Sequence, residues 1–159
     1  MKIRLAAPLT TDSIVDGTGL RTVIWTQGCT HNCFGCQNPE THNIYGGFES
    51  DIDDIKNKLR NLKLQKGITL SGGEPFLQVE PCTQIAKFAH SIGLDVWCFS
   101  GFTYEEIKND MNKIDLLKNI DVLVDGKFIQ SKKTLDLKFR GSENQRIIYL
   151  KNGDVLNIQ

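Results

Sequence analysis

Three cysteines crowd into one short stretch, Gly28-Cys29-Thr30-His31-Asn32-Cys33-Phe34-Gly35-Cys36-Gln37-Asn38-Pro39, with the spacing CxxxCxxC. Thiolates are soft ligands, and three of them from one loop can converge on a single metal centre. An iron-sulfide cube held by three cysteines keeps one iron without a protein ligand, and a substrate can bind there. The competing reading is a structural zinc site with His31 as the fourth ligand. Structural zinc favours four protein ligands, commonly in two separated pairs. The chain has no second CxxC, and His31, set between two of the cysteines, would strain to reach the same metal. The spacing therefore favours a [4Fe-4S] cluster on Cys29, Cys33 and Cys36 over zinc or a disulfide. Cys82 and Cys98 stand apart on a predicted helix and strand and read as packed thiols.

A second stretch, Ser71-Gly72-Gly73-Glu74-Pro75, could by itself be a strand-to-helix turn with proline at the first helical position. Beside the cysteine loop it takes on another meaning. Glycines let a ligand approach the backbone, and Glu74 brings a negative charge suited to an ammonium group. The two motifs, in this order, resemble the signatures of the radical S-adenosylmethionine (radical SAM) superfamily. Within it the chain most resembles the activases of the anaerobic ribonucleoside-triphosphate reductase. That closer likeness rests on Gly35 between Cys33 and Cys36, on Gln37-Asn38, on Asp121 to Phe128, and on Arg140-Gly141-Ser142-Glu143-Asn144-Gln145-Arg146.

The resemblance implies a cofactor pair, a [4Fe-4S] cluster and S-adenosylmethionine. It assigns the methionine amino group to Gly72, Gly73 and Glu74. In place of the aromatic residue common before the third cysteine, Gly35 implies backbone contacts to the nucleoside from Gly35, Cys36 and Gln37. Asp125 and Lys127 match a DxK pattern that lies at the cofactor in the related activase for pyruvate formate-lyase, although a solvated turn explains them almost as well. The implied reaction is reductive cleavage of S-adenosylmethionine, after which the 5'-deoxyadenosyl radical takes a hydrogen atom from a glycine of the large reductase subunit. A reduced electron donor such as flavodoxin is the other implied partner, and the Arg140 to Arg146 segment is implied to help dock the reductase. A pyruvate formate-lyase-type activase and a zinc-binding interaction module are the alternatives. No acid-base side chain is required, and His42 and His90 read as surface residues.

Supporting elements must bring these loops together. Arg21 to Gln27 reads as a buried strand delivering the cysteine loop at its carboxyl end. Gly67 to Ser71, Leu94 to Phe99 and Asp121 to Val124 read as further strands, with Gly72-Gly73, Ser100-Gly101 and Asp125-Gly126-Lys127 just past their ends. Helices are expected from Asp51 to about Leu64, capped by Ser50, from about Leu77 to Ser91, after Thr103 with Glu106 closing a capping box, and from Met111 to Lys118. Residues 3–19 suggest an extension or hairpin, residues 128–142 are irregular, and Asn152-Gly153 marks a terminal hairpin. Strands separated by helices predict an α/β fold of mainly parallel strands. Too few units are present to close a barrel, so the expected form is an open, incomplete (β/α) barrel making one domain over residues 1–159.

Composition narrows the partners. Lys plus Arg and Asp plus Glu are nineteen each, so no overall field favours nucleic acid or an anionic membrane, and neither is expected as a partner. The apolar run before Thr10 is too short for a secretory signal or a spanning helix, which predicts a cytoplasmic protein.

Overall fold

The computed structural model describes residues 1–159. Four parallel strands form the centre of one open sheet: β3 (Arg21–Thr26), β5 (Gly67–Gly72), β6 (Asp95–Phe99) and β7 (Val122–Asp125). Antiparallel strands extend both margins. β1 (Lys2–Leu5) and β4 (Phe48–Asp51) lie beyond β3, and β8 (Arg146–Lys151) and β9 (Asp154–Ile158) lie beyond β7. β2 (Thr10–Ser13) also pairs with β3. The α/β reading of an open, incomplete barrel is thus borne out.

Side-chain alternation along the central strands divides the sheet into two faces. Ile24, Ile68, Leu70, Val96, Cys98 and Leu123 pack against α1 (Ile52–Arg60) and α2 (Val79–Ser91). The helices reply with Ile52, Ile55 and Leu59, and with Cys82, Ile85, Ala86 and Ala89, at the three- and four-residue spacing of a helical stripe. Burying each such aliphatic side chain stabilises the fold by roughly 1.5–3 kcal/mol. The other face carries Trp25, Ser71, Trp97, Phe99 and Val124. Trp97 and Phe139 meet edge to face there, with ring centroids 5.2 Å apart.

At the amino end of β3, Arg21 is fully buried. Its guanidinium donates to Thr69 Oγ1 (2.8 Å), Thr18 O (2.9 Å) and Ile68 O (2.6 Å), pairs with Asp95, and lies over the Trp97 ring. Burial pushes its pKa down while Asp95 pulls it back up. One side chain therefore ties three central strands together at the end of the sheet away from the cysteine loop.

Several boundaries depart from the sequence reading. Residues 48–51 form a strand because the free edge of β1 takes up Phe48 to Asp51. Ser50 is consequently in that strand, and Asp51 caps α1 by accepting from Asp53 N at 3.0 Å. The helix ends at Arg60 rather than near Leu64. Pro75–Leu77 is a tight 3-10 turn, and α2 begins only at Val79. Thr103 does cap α3 (Tyr104–Lys108), whereas the next helix, α4, is only Ile114–Leu117. β1 and β2 do not pair with each other as a hairpin but both join β3. The terminal hairpin forms as expected, with Asn152 (φ 51) and Gly153 (φ 84) taking the positive φ values of its tight turn. No helix is long and apolar enough to cross a membrane.

Candidate functional site

Because the central strands are parallel, the four loops past their carboxyl ends meet at one edge of the sheet, where open α/β folds place their ligands. There they line a cleft of about 490 Å³. Cys29, Cys33, Cys36, Gln37, Gly72 and Gly73 all border it. The three thiols are unpaired and partly exposed, so the mouth is open to solvent. Cys82 and Cys98 are fully buried on the helical face of the sheet, as packed thiols should be.

The cysteine loop and the glycine turn form one hydrogen-bonded unit. Gly73 N donates to Thr26 O and Glu74 N to Gly28 O, both at 2.8 Å, while Gly28 N donates to Thr41 O at 2.7 Å. Gly72 has φ +99, a left-handed conformation that disfavours side chains. A Cβ on Gly73 would overlap the Gly28 carbonyl. The double glycine thus lets two site loops touch backbone to backbone.

Glu74 does not border the cleft. Its carboxylate is fully buried and accepts from Phe76 N (3.0 Å), Ser100 Oγ (2.9 and 3.0 Å), Gly101 N (2.7 Å) and the His31 ring at Nε2 (2.7 Å). Four donors already surround this carboxylate, so an ammonium would have to share it with them. The same pairing occupies His31 Nε2 and leaves Nδ1 as the remaining ring nitrogen. No group of three or more His, Cys, Asp or Glu side chains is gathered as ligands of a single metal ion. A cube, by contrast, offers each cysteine its own iron corner, so the thiols need not meet at a point.

Asp125 and Lys127 are also off the cleft. Asp125, 1% exposed, accepts from Tyr104 N (2.7 Å) and from Arg146 Nε (3.0 Å) and Nη2. It ties β7 to β8 and α3. Lys127 is exposed beside a smaller hollow, and its carbonyl accepts from Asn144 Nδ2. Gly35 is exposed with φ +76 and lies outside the cleft lining.

Two residues read from the sequence as surface or docking groups belong to the site. His42 and Arg140 line the cleft, and His42 Nε2 and Arg140 Nε are buried nitrogens with no hydrogen-bond partner. Buried polar atoms without a protein partner are ordinarily satisfied by a water, an ion or a ligand. The His42 position follows from the short 3-10 turn Pro39–Thr41, which sequence periodicity does not reveal. Residues 128–142, read as irregular, supply Phe128, Leu135, Leu137 and Phe139 to the far wall.

Charge also fits a cationic centre. Burial pushes the Cys29 thiol up, a hydrogen bond from the His31 N–H pulls the other way, and negative charge at Glu74, Cys33 and Cys36 adds to the rise. A positive metal centre among the three sulfurs reverses that cost, because thiolates ionise readily beside a metal.

The family described as a 4Fe-4S single cluster domain matches residues 15–148. The anaerobic ribonucleoside-triphosphate reductase-activating protein of Escherichia coli K12 is 37% identical over 148 residues, covering 87% of this chain and 94% of that protein. This chain belongs to that family. The Pasteurella multocida member is likewise 37% identical, over 86% of this chain and 90% of its own length. The member from Enterobacteria phage T4 is 33% identical, over 84% and 86%. The crystal structure of QueE from Escherichia coli overlaps more loosely, with a TM-score of 0.48 and 15% identity over 64% of this chain and 54% of that one. Family membership bears out the resemblance drawn from the cysteine loop and the glycine turn, and with it an iron-sulfur cofactor.

Proposed function

We propose that this chain activates the anaerobic ribonucleoside-triphosphate reductase, holding a [4Fe-4S] cluster on Cys29, Cys33 and Cys36 and S-adenosylmethionine in the adjoining cleft. The observation that carries the reading is one open cleft bordered by three unpaired thiols, the Gly72-Gly73 turn and two orphaned nitrogens. When bound, the cluster would supply the single electron for reductive cleavage of S-adenosylmethionine, the chemistry needed to generate a glycyl radical in the reductase.

The chain's own residues hold and shield. Gly72 and Gly73 present backbone to the cleft, and Gln37 borders it from the cysteine loop. Arg140 and His42 are the side chains suited to a carboxylate, since each has a nitrogen awaiting a partner. The apolar wall of Phe128, Leu137 and Phe139 excludes water from one side. All three thiols remain partly exposed, which suits a target presented by a loop of another protein. A reduced donor such as flavodoxin would deliver the electron.

Anaerobic reconstitution with iron and sulfide, reduction with dithionite, and addition of S-adenosylmethionine and reductase test this reading. The expected result is 5'-deoxyadenosine together with a glycyl radical signal in electron paramagnetic resonance. Zinc in place of iron in oxygen-protected protein would overturn it, as would undiminished deoxyadenosine from Cys29→Ala, Cys33→Ala or Cys36→Ala.

A further inference from the structure

The loop that carries the three cysteines has no helix or strand between Gly28 and Asn38. It includes two residues with positive φ, Asn32 at 53° and Gly35 at 76°. Its internal backbone hydrogen bonding amounts to one turn, Cys36 N to Cys33 O, and Cys29 N donates outward to His42 O. Such a segment needs an anchor if its three sulfurs are to hold a fixed spacing.

We propose that His31 is that anchor, a positioning residue that latches the cysteine loop to the sheet through Glu74. The inference rests on the cluster reading above and adds a role for a side chain that is itself no ligand. The His31 side chain is 6% exposed, and its Nε2 is 2.7 Å from Glu74 Oε1. The ring stands edge-on to Phe102, with centroids 4.5 Å apart. Gly101 leaves room for it, because a Cβ there would overlap the imidazole. Glu74 is in turn pinned by Ser100 Oγ, Gly101 N and Phe76 N, so one buried carboxylate joins the loops after β5 and β6 to the loop after β3. His31 lies midway between Cys29 and Cys33, and holding it fixes the separation of those two thiols relative to the strand ends.

A bystander pairing and a latch make different predictions. If the pair merely satisfies a buried carboxylate, its loss lowers fold stability and leaves a bound cluster as durable as before. If it positions the loop, the cluster becomes labile, by about tenfold or more, the usual effect of losing a partner that orients metal ligands.

Wild type, His31→Ala and His31→Gln are reconstituted anaerobically. Iron and sulfide per chain are counted, and the rate of bleaching by excess EDTA is followed by absorbance. The latch predicts bleaching at least about tenfold faster in His31→Ala, and recovery to within about threefold in His31→Gln, whose amide can still donate to Glu74. Equal rates for wild type and His31→Ala overturn it, as does a His31→Gln protein no better than His31→Ala. Should His31→Ala fail to fold with Glu74 short of a partner, the His31→Ala/Glu74→Gln protein replaces it. A labile cluster on that folded protein supports the latch, and a durable one overturns it. Cys29→Ala serves as a separate control: if it took up a full cluster, the assignment of the ligands would fail, whatever His31 does.

Discussion

Replacing Arg146 with Met tests what Asp125 is for. Arg146 donates to Asp125 through Nε and Nη2 and to Glu105 through Nη1 (3.0 Å) and Nη2 (2.6 Å). Methionine keeps much of the stem and removes the charge, leaving the Asp125 carboxylate, 1% exposed, with only the Tyr104 N–H. Stripping one partner from a buried ion pair costs about 3–5 kcal/mol. Arg146 is 32% exposed, however, so water can reach the gap, and the expected loss falls to roughly 2–3 kcal/mol. Glu105, 60% exposed, adds at most about 1 kcal/mol to that. At roughly 3 °C per kcal/mol for a chain of this size, the combined loss of roughly 2–4 kcal/mol should lower the melting temperature by about 6–12 °C. The assay is anaerobic urea and thermal unfolding followed by circular dichroism, repeated on Asp125→Asn and the double variant. A loss below about 0.5 kcal/mol, or a coupling energy near zero, would refute the view that Asp125 is a strut. The hydrogen bond from Arg146 also holds the Glu105 carboxyl below its usual range. A depressed folded-state pKa gives stability above the ordinary glutamate value and loses it as pH falls through the folded value. The gap between wild type and Arg146→Met should accordingly narrow below about pH 4.3.

Thiol labelling and ligand affinity provide two further checks. In metal-free, folded protein, iodoacetamide at pH 8 should modify Cys29, Cys33 and Cys36 and spare Cys82 and Cys98. Burial pushes Cys82 up to about 12 and Cys98 well above its ordinary value. Labelling of Cys82 seen by mass spectrometry without unfolding would contradict that placement. Arg140→Gln should weaken S-adenosylmethionine binding to the reconstituted protein by about tenfold, the loss of one charge-assisted hydrogen bond. An unchanged dissociation constant by calorimetry would remove Arg140 from the site.

The parts of the molecule legible in the sequence are those where one residue type has one use. Three cysteines in a loop announce themselves, and so do the β-branched and apolar runs of β3, β5, β6 and β7. Less legible were roles decided by partners distant along the chain. Glu74 reads as a free charge until Ser100, Gly101 and His31 close around it. Asp125 gives no sign in the sequence of its pairing with Arg146 across β7 and β8. His42 and Arg140 have no local pattern at all, since their positions come from a 3-10 turn and an irregular segment folding over the cleft. β4 was hidden because its four residues, Phe48–Asp51, form a strand only in the presence of β1.

The buried Arg21 sits at the opposite end of the parallel strands from the thiols, which divides the chain's tolerance to change into two zones. A mutagenesis screen scored only for soluble yield should collect its failures around Arg21, Thr69, Asp95 and Trp97. A screen scored for brown colour in soluble protein should collect them around Cys29, His31, Gly73 and Gly101. Drift in the chemistry and drift in the fold would be recorded at separate addresses on the same strands.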